Sequence, residues 1–265
     1  MPKIPVYTAI QIQREAISEQ SGHTKPWVVT AATPDGLIPY VVKLYNYKQV
    51  DDFHCVTNEI IGNILAQEFG LKVPQCALIE IPQKLVINLP TDMQKQFENS
   101  DHRLKFATLQ LKGVNNAIPR LDKLQLTKRI NIDTLYAFDN LICNRDRGFQ
   151  KSNLLLGDEN AFLIDHELCF NEEYMYADIE NQDIEQVFTK YHLCYSYLKR
   201  TIKNQTFFNE FAFYLRELRP SVLNPYFQEL KHEGFNDYSV PIIYRLEEIK
   251  RKSTIFVTQL KSSLQ

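Results

Sequence analysis

The chain reads as an α+β protein in two parts: a small antiparallel sheet with one helix over residues 1–112, then a mainly helical part over 113–265. Three observations predict this. Runs of strand period, separated by turn signals, fill the first part. One run of helical period, Asp51 to Phe69, interrupts them. Beyond Gly113 the period is helical apart from a single strand–turn–strand segment at residues 153–164.

Taken in order, the alternating run from Tyr7 to Ile12 is the first strand. A polar loop around Gly22 leads to a second strand at Trp27–Thr30. Thr33-Pro34-Asp35-Gly36 is a turn signal, and Tyr40–Tyr45 is the third strand. Ile60, Ile61, Ile64, Leu65 and Phe69 then recur at helical spacing, with Asp51 or Asp52 suited to cap the start and Gly70 to end the helix. Pro74 closes the turn before a strand at Cys76–Ile81. Residues 88–105 are polar and charged, which predicts an exposed excursion. Phe106–Leu111 is the last strand, and Gly113 marks the boundary between the parts.

In the second part, Leu126–Cys143 reads as one helix with Leu135, Phe138, Leu141 and Ile142 buried. Asn153–Leu156, the turn Gly157–Asn160 and Ala161–Ile164 form a β-hairpin. Helices are expected over 183–200, 206–217 and 239–263, and the aromatic stripe Phe207, Phe208, Phe211 and Tyr214 belongs to the core.

Composition excludes several classes. Apolar residues are 44% of the chain, enough for a real core, and Gly and Pro are too sparse for a low-complexity chain. The net charge of −2, without a basic stripe, argues against a nucleic-acid partner. No run is long and apolar enough for a bilayer, and the first residues lack the apolar core of a secretory signal, so no membrane partner and a cytoplasmic location are expected. Five scattered cysteines, Cys55, Cys76, Cys143, Cys169 and Cys194, read as reduced thiols, and the dispersed histidines give no zinc pattern.

The stretch from Phe138 to Phe170 carries the chemistry. Asp146 follows a helix and opens an irregular loop, Asn153 begins the hairpin and Asp165 ends it. A hairpin returns the chain to its starting point, so Asn153 and Asp165 fall side by side with Asp146 in reach. Hard cations such as Mg²⁺ take oxygen ligands, and phosphoryl transfer needs such a metal, a carboxylate on the attacking hydroxyl and a cation on the phosphates. Asn153 and Asp165 suit the metal and Asp146 suits the base. Lys43, on a strand, and Glu59, on the next helix, suit a phosphate grip. Lys151 is a candidate contact to the γ-phosphate of the cofactor. Taken singly each residue has a plainer reading: a surface ion-pair cluster of Asp146 with Arg145 and Arg147, a strand-edge lysine at Lys43, a solvated loop lysine at Lys151. Asp139 and Asn140 read as buried polar groups fixing the loop, His166 as a hairpin histidine.

The order strand-Lys, helix-Glu, Asp-loop-Asn hairpin and second Asp resembles the protein-kinase-like superfamily. The segments PYVVKLYN, TNEIIGNILAQEFGLKVP and NRDR…NLL…LIDHE are most similar to the HipA-like kinases, with phosphatidylinositol kinases as cousins. The resemblance implies a two-lobed protein-kinase-like fold with an N-lobe over 1–112 and a C-lobe over 113–265. It implies ATP and Mg²⁺ as cofactors, Lys43 on the phosphates held by Glu59, Asp146 as catalytic aspartate, Asn153 and Asp165 on the metal, and Gln110, Leu111, Lys112 and Gly113 as the hinge against adenine. The implied acceptor is a protein Ser/Thr hydroxyl; a small molecule or phosphoinositide, a nucleotide-binding pseudokinase and a partner-binding regulatory module, as in toxin–antitoxin pairs, are the alternatives. The sequence departs from the protein-kinase pattern in four places. Asp146 and Asn153 are seven apart rather than the usual five, so residues 147–152 must bulge. Gly148 stands where relatives often carry histidine, the metal motif reads Asp165-His166-Glu167, and no glycine-rich loop is present.

Overall fold

A computed structural model describes residues 3–13, 25–116, 123–148, 150–175, 190–201 and 206–265. It divides into two compact units. The first draws on Met1–Ile60, Pro74–Lys112 and Pro225–Asp237, the second on Ile61–Val73, Gly113–Asn224 and Tyr238–Gln265.

The first unit is built on five strands: β1 (Val6–Gln13), β2 (Trp27–Thr33), β3 (Gly36–Val42), β4 (Cys76–Glu80) and β5 (Lys105–Leu109). The expected antiparallel sheet is corrected to a closed barrel in the order β1-β2-β3-β5-β4. Closure comes from a parallel pairing of β1 with β4, Val6 opposite Leu78 and Thr8 opposite Glu80. The other pairs are antiparallel. Closing the sheet removes the edges that β1 and β4 would otherwise expose. Ala9, Trp27, Val29, Ala31, Tyr40, Val42, Ala77, Ile79 and Ala107 belong to one buried core cluster.

The expectation of one helix in this part is also corrected. Asn46 accepts from the Gln49 N–H in a capping box and starts α1 (Tyr47–Asp51). Asp52 ends α1 rather than capping the next helix, and His54 at φ 52° breaks the chain before α2 (Cys55–Glu68). The stretch read as an exposed excursion, residues 88–105, carries the helix α4 (Thr91–Glu98), and a short helix α3 (Gln83–Val86) precedes it. Leu85, Leu89, Met93 and Phe97 pack on the barrel core, and Phe97 stacks on Trp27 with centroids 6.1 Å apart. Leu89, Met93 and Phe97, spaced four residues apart, pack on the barrel core and outweigh the polar composition. Arg103 ties this region to residues 225–237: its guanidinium donates to Asp51 Oδ1 at 2.6 Å, to Asp101 Oδ2 at 2.5 Å and to the Gly234 carbonyl at 2.9 Å.

The second unit contains a short strand β6 (Asn115–Asn116), which pairs with β7 (Leu154–Leu156), itself paired with β8 (Ala161–Leu163). The single helix expected over Leu126–Cys143 is two, α5 (Lys123–Thr127) and α6 (Ile132–Leu141). The break follows from Asn131, whose side chain caps α6 through the Asp133 and Thr134 N–H groups. Further helices are α7 (Glu172–Met175), α8 (Tyr195–Thr201), α9 (Asn209–Glu217), α11 (Ser239–Arg251) and α12 (Ser253–Ser263), while α10 (Asn224–His232) belongs, from Pro225 on, to the first unit. Thus 239–263 is two helices parted at Lys252, and α10 was not expected. Residues 183–189 of the expected 183–200 helix lie outside the described residues. Phe69 sits 5.2 Å from Phe211 and 5.6 Å from Phe138, and of the expected aromatic stripe Phe208 and Phe211 are core while Phe207 and Tyr214 are half-buried.

Candidate active site

In the first unit, the Lys43 N–H donates to the Phe106 carbonyl at 3.0 Å, one residue past the end of β3. The ladder thereby fixes the base of its side chain. Lys43 Nζ lies 2.5 Å from Glu59 Oε1, and the Tyr45 hydroxyl donates to the same oxygen at 3.1 Å. Glu59 is only 1% exposed, so its charge depends on such partners rather than on water. Lys43 is thus no solvated strand-edge lysine. The segment expected as hinge follows β5: the Gln110 N–H donates to the Pro39 carbonyl at 3.0 Å, and Lys112 and Gly113 are exposed. Gly113, with φ 68°, takes the left-handed conformation glycine allows without steric cost. The Gly22 loop lies outside the described residues.

In the second unit, Asn153 directly precedes β7 and Asp165 follows β8. Ile164 N–H donates to the Asn153 carbonyl at 3.1 Å and closes the ladder there. Both Asn153 (φ 48°) and Asp165 (φ 66°) are left-handed, a conformation most side chains avoid but Asn and Asp tolerate. Such backbone turns cost energy and mark places where side-chain direction matters.

The loop from Asn144 to Ser152 is held from below. Arg147, wholly buried, donates from Nε to Asp139 Oδ2 at 2.7 Å and from Nη1 to the Asn153 carbonyl at 2.5 Å. Asp139 Oδ1 accepts from Asn144 Nδ2 at 2.9 Å, and Asn144 Oδ1 accepts from the Asp146 N–H at 3.1 Å. His192 Nδ1 accepts from the Cys194 N–H at 3.0 Å, so its proton sits on Nε2, 2.8 Å from Asp139 Oδ2. Burial alone would push the Asp139 carboxyl up; the Arg147 guanidinium foremost, then His192, override it and hold the carboxyl below the ordinary range. Arg245, buried on α11, donates to the carbonyls of Leu141 (2.7 Å) and Asn140 (3.0 Å), satisfying the end of α6 where the loop begins.

Above this floor Lys151 Nζ lies 2.5 Å from Asp146 Oδ2 and 2.8 Å from Asp165 Oδ2. Burial lowers the Lys151 ammonium, but the Asp165 and Asp146 carboxylates outweigh it and raise it above its usual value. Asn153 Nδ2 donates to the Asp146 carbonyl and to Asp146 Oδ2, both at 3.0 Å. The seven-residue spacing is accommodated by a turn in which Gly148 N–H donates to the Lys151 carbonyl at 3.0 Å, while Gly148 bridges His192. A Cβ on Gly148 would lie 3.3 Å from the Tyr191 carbonyl oxygen, tight enough to favour glycine.

The sequence thus brings Asp146, Lys151, Asn153 and Asp165 together in one unit, and Lys43 with Glu59 in the other. The plainer alternative, a surface ion pair of Asp146 with Arg147, does not form: Arg147 faces Asp139. Asn140 does not reach the loop; its side chain donates to the Tyr136 carbonyl at 2.7 Å. Asn144, His192 and Arg245 were missed, since nothing local marks a distant histidine or arginine as a partner. Cys143 and Cys169 are buried, and burial pushes the Cys143 thiol up, away from nucleophile chemistry.

The donor set fits a hard cation. With its amide nitrogen engaged by Asp146, Asn153 offers Oδ1, which accepts no hydrogen bond from the described residues, and Asp165 adds a carboxylate.

The HipA-like kinase family model matches residues 10–218, most of the chain. The chain belongs to the HipA-like kinase family. Among solved structures it is similar to the crystal structure of the Helicobacter pylori proinflammatory kinase CtkA, with a TM-score of 0.51 and 14% identity over 99% of this chain and 98% of that one. At that identity the likeness shows the fold. No curated protein matches. HipA-like kinase membership and a kinase fold together support a kinase-type phosphotransferase. No helix among the described residues is long and apolar enough to cross a membrane.

Proposed function

We propose that this HipA-like kinase transfers the γ-phosphate of Mg·ATP to a hydroxyl acceptor, with a protein Ser/Thr as the favoured class. The observation that carries the reading is the convergence of Asp146, Asn153 and Asp165: Lys151 Nζ touches both carboxylates, and Asn153 donates to Asp146 Oδ2. Two carboxylates share one cationic contact, and the Asn153 amide holds one of them.

Residues 1–112 then act as the nucleotide-binding lobe and 113–265 as the catalytic lobe. Lys43, held by Glu59, binds phosphate oxygens, and Gln110–Gly113 meets adenine. Asn153 Oδ1 and Asp165 would hold Mg²⁺, which supplies charge neutralisation on the phosphates. Asp146 Oδ2 is occupied by Lys151 and Asn153. Oδ1 takes no hydrogen bond from the described residues and is the oxygen that orients the acceptor hydroxyl and takes its proton.

The test is phosphoryl transfer from γ-labelled ATP, on the protein itself and on a panel of protein and small-molecule acceptors. The reading expects Mg-dependent transfer that Asp146→Asn abolishes while nucleotide binding persists. Binding without transfer to any acceptor would favour the pseudokinase alternative.

A further inference from the structure

We infer that Lys151 is a tethered counter-cation that a divalent metal ion must displace from Asp165 and Asp146, so that metal loading depends on a phosphate-bearing ligand to receive the lysine. This rests on the function proposed above.

One ammonium reaches Asp146 Oδ2 at 2.5 Å and Asp165 Oδ2 at 2.8 Å, so the two carboxylates lie close enough to repel one another without it. The ammonium sits where a cation serving both would be placed. A metal ion arriving alone meets that positive charge and must break both ion pairs. A nucleotide changes the balance, because its phosphates offer the displaced ammonium a new anionic partner. Metal and nucleotide therefore bind with positive coupling through one side chain.

The two cations of the loop are built for different roles. Arg147 is wholly buried, and its planar fork is locked between Asp139 and the Asn153 carbonyl. Lys151 is 43% exposed on a flexible four-carbon stem. Its backbone is held, since its carbonyl accepts from the Gly148 N–H at 3.0 Å. The ammonium can thus leave by side-chain rotation with the loop kept closed. Asn153 and its contacts to Asp146 stay in place when it does.

The test is metal binding rather than turnover. Free Mn²⁺ is counted by electron paramagnetic resonance for the wild type, Lys151→Met and Lys151→Arg, each with and without ADP. Lys151→Met is expected to bind Mn²⁺ alone about tenfold more tightly than the wild type and to lose most of the gain that ADP gives it. Lys151→Arg, which keeps the charge, is expected to behave as the wild type. A Mg²⁺-induced rise in melting temperature without nucleotide, larger in Lys151→Met, is the accompanying readout. Mn²⁺ affinity in Lys151→Met no higher than in the wild type, with ADP coupling intact in both, overturns the counter-cation role alone. Absence of Mn²⁺ and ADP binding in all three proteins overturns the phosphotransfer reading and this inference with it.

Discussion

Arg147 Nε lies 2.7 Å from Asp139 Oδ2, and neither side chain is more than 1% exposed. The pair joins α6 to the loop that carries Asp146. The second arm of Arg147 reaches the Asn153 carbonyl, so one guanidinium sets both the loop and the hairpin. A buried pair of this kind costs desolvation when it forms and far more when one partner is removed.

Arg147→Met should therefore destabilise the protein by about 3–5 kcal/mol. Its pH dependence should also reverse. In the wild type the Asp139 carboxyl lies below its unfolded value, so its contribution is present above about pH 4 and is lost as the pH falls through the folded value. Without Arg147, burial raises the folded value above the unfolded one. Stability is then greatest below about pH 4 and declines as the pH rises through the raised value. Urea unfolding at about pH 5 and about pH 8 checks this: the gap between wild type and variant should widen with pH, and a constant gap would argue that Arg147 acts only as bulk.

Gly62 on α2 is pressed against His166, the residue after Asp165. A Cβ there would stand 2.7 Å from His166 Cβ and 2.8 Å from His166 Cγ. Alanine is the better helix former by about 1 kcal/mol, but the clash should win. Gly62→Ala should lose about 1–3 kcal/mol net and weaken Mg-dependent nucleotide binding by moving Asp165. Gly157→Ala, whose Cβ would meet nothing nearer than 3.6 Å, is the control and should stay within about 1 kcal/mol of the wild type. Denaturation curves of the two variants decide; a Gly62→Ala as stable as the wild type would refute the packing constraint.

Lys43 and Glu59 should be coupled. Lys43→Met removes the ammonium 2.5 Å from a carboxylate that is 1% exposed and should cost about 3 kcal/mol. Glu59→Gln on top of it should cost less than in the wild type, giving a coupling of about 1–3 kcal/mol in a double-mutant cycle. Strict additivity would mean that the pair contributes nothing.

How much of this was legible follows from range. The pairing of Asn153 with Asp165 is a consequence of a hairpin, and Gly157 to Asn160 announce its turn. Lys43 and Glu59 follow from a strand and the helix after it. α4 was within reach too: Leu89, Met93 and Phe97 recur every four residues, but the charged residues between them hid the stripe. The barrel was not legible, because the parallel pairing of Val6–Thr8 with Leu78–Glu80 leaves no local mark. Nor were His192 and Arg245, whose partners lie far upstream and whose own neighbours in sequence show no motif.

The most direct measurement is thermal unfolding with and without saturating Mg·ATP, for the wild type and Asp165→Asn. A ligand at a hundred times its dissociation constant stabilises by about 2.7 kcal/mol. The expected result is a Mg-dependent rise in Tm for the wild type that Asp165→Asn largely loses. An equal rise in both proteins would contradict the metal role of Asp165, and no rise in either would contradict nucleotide-dependent phosphotransfer itself.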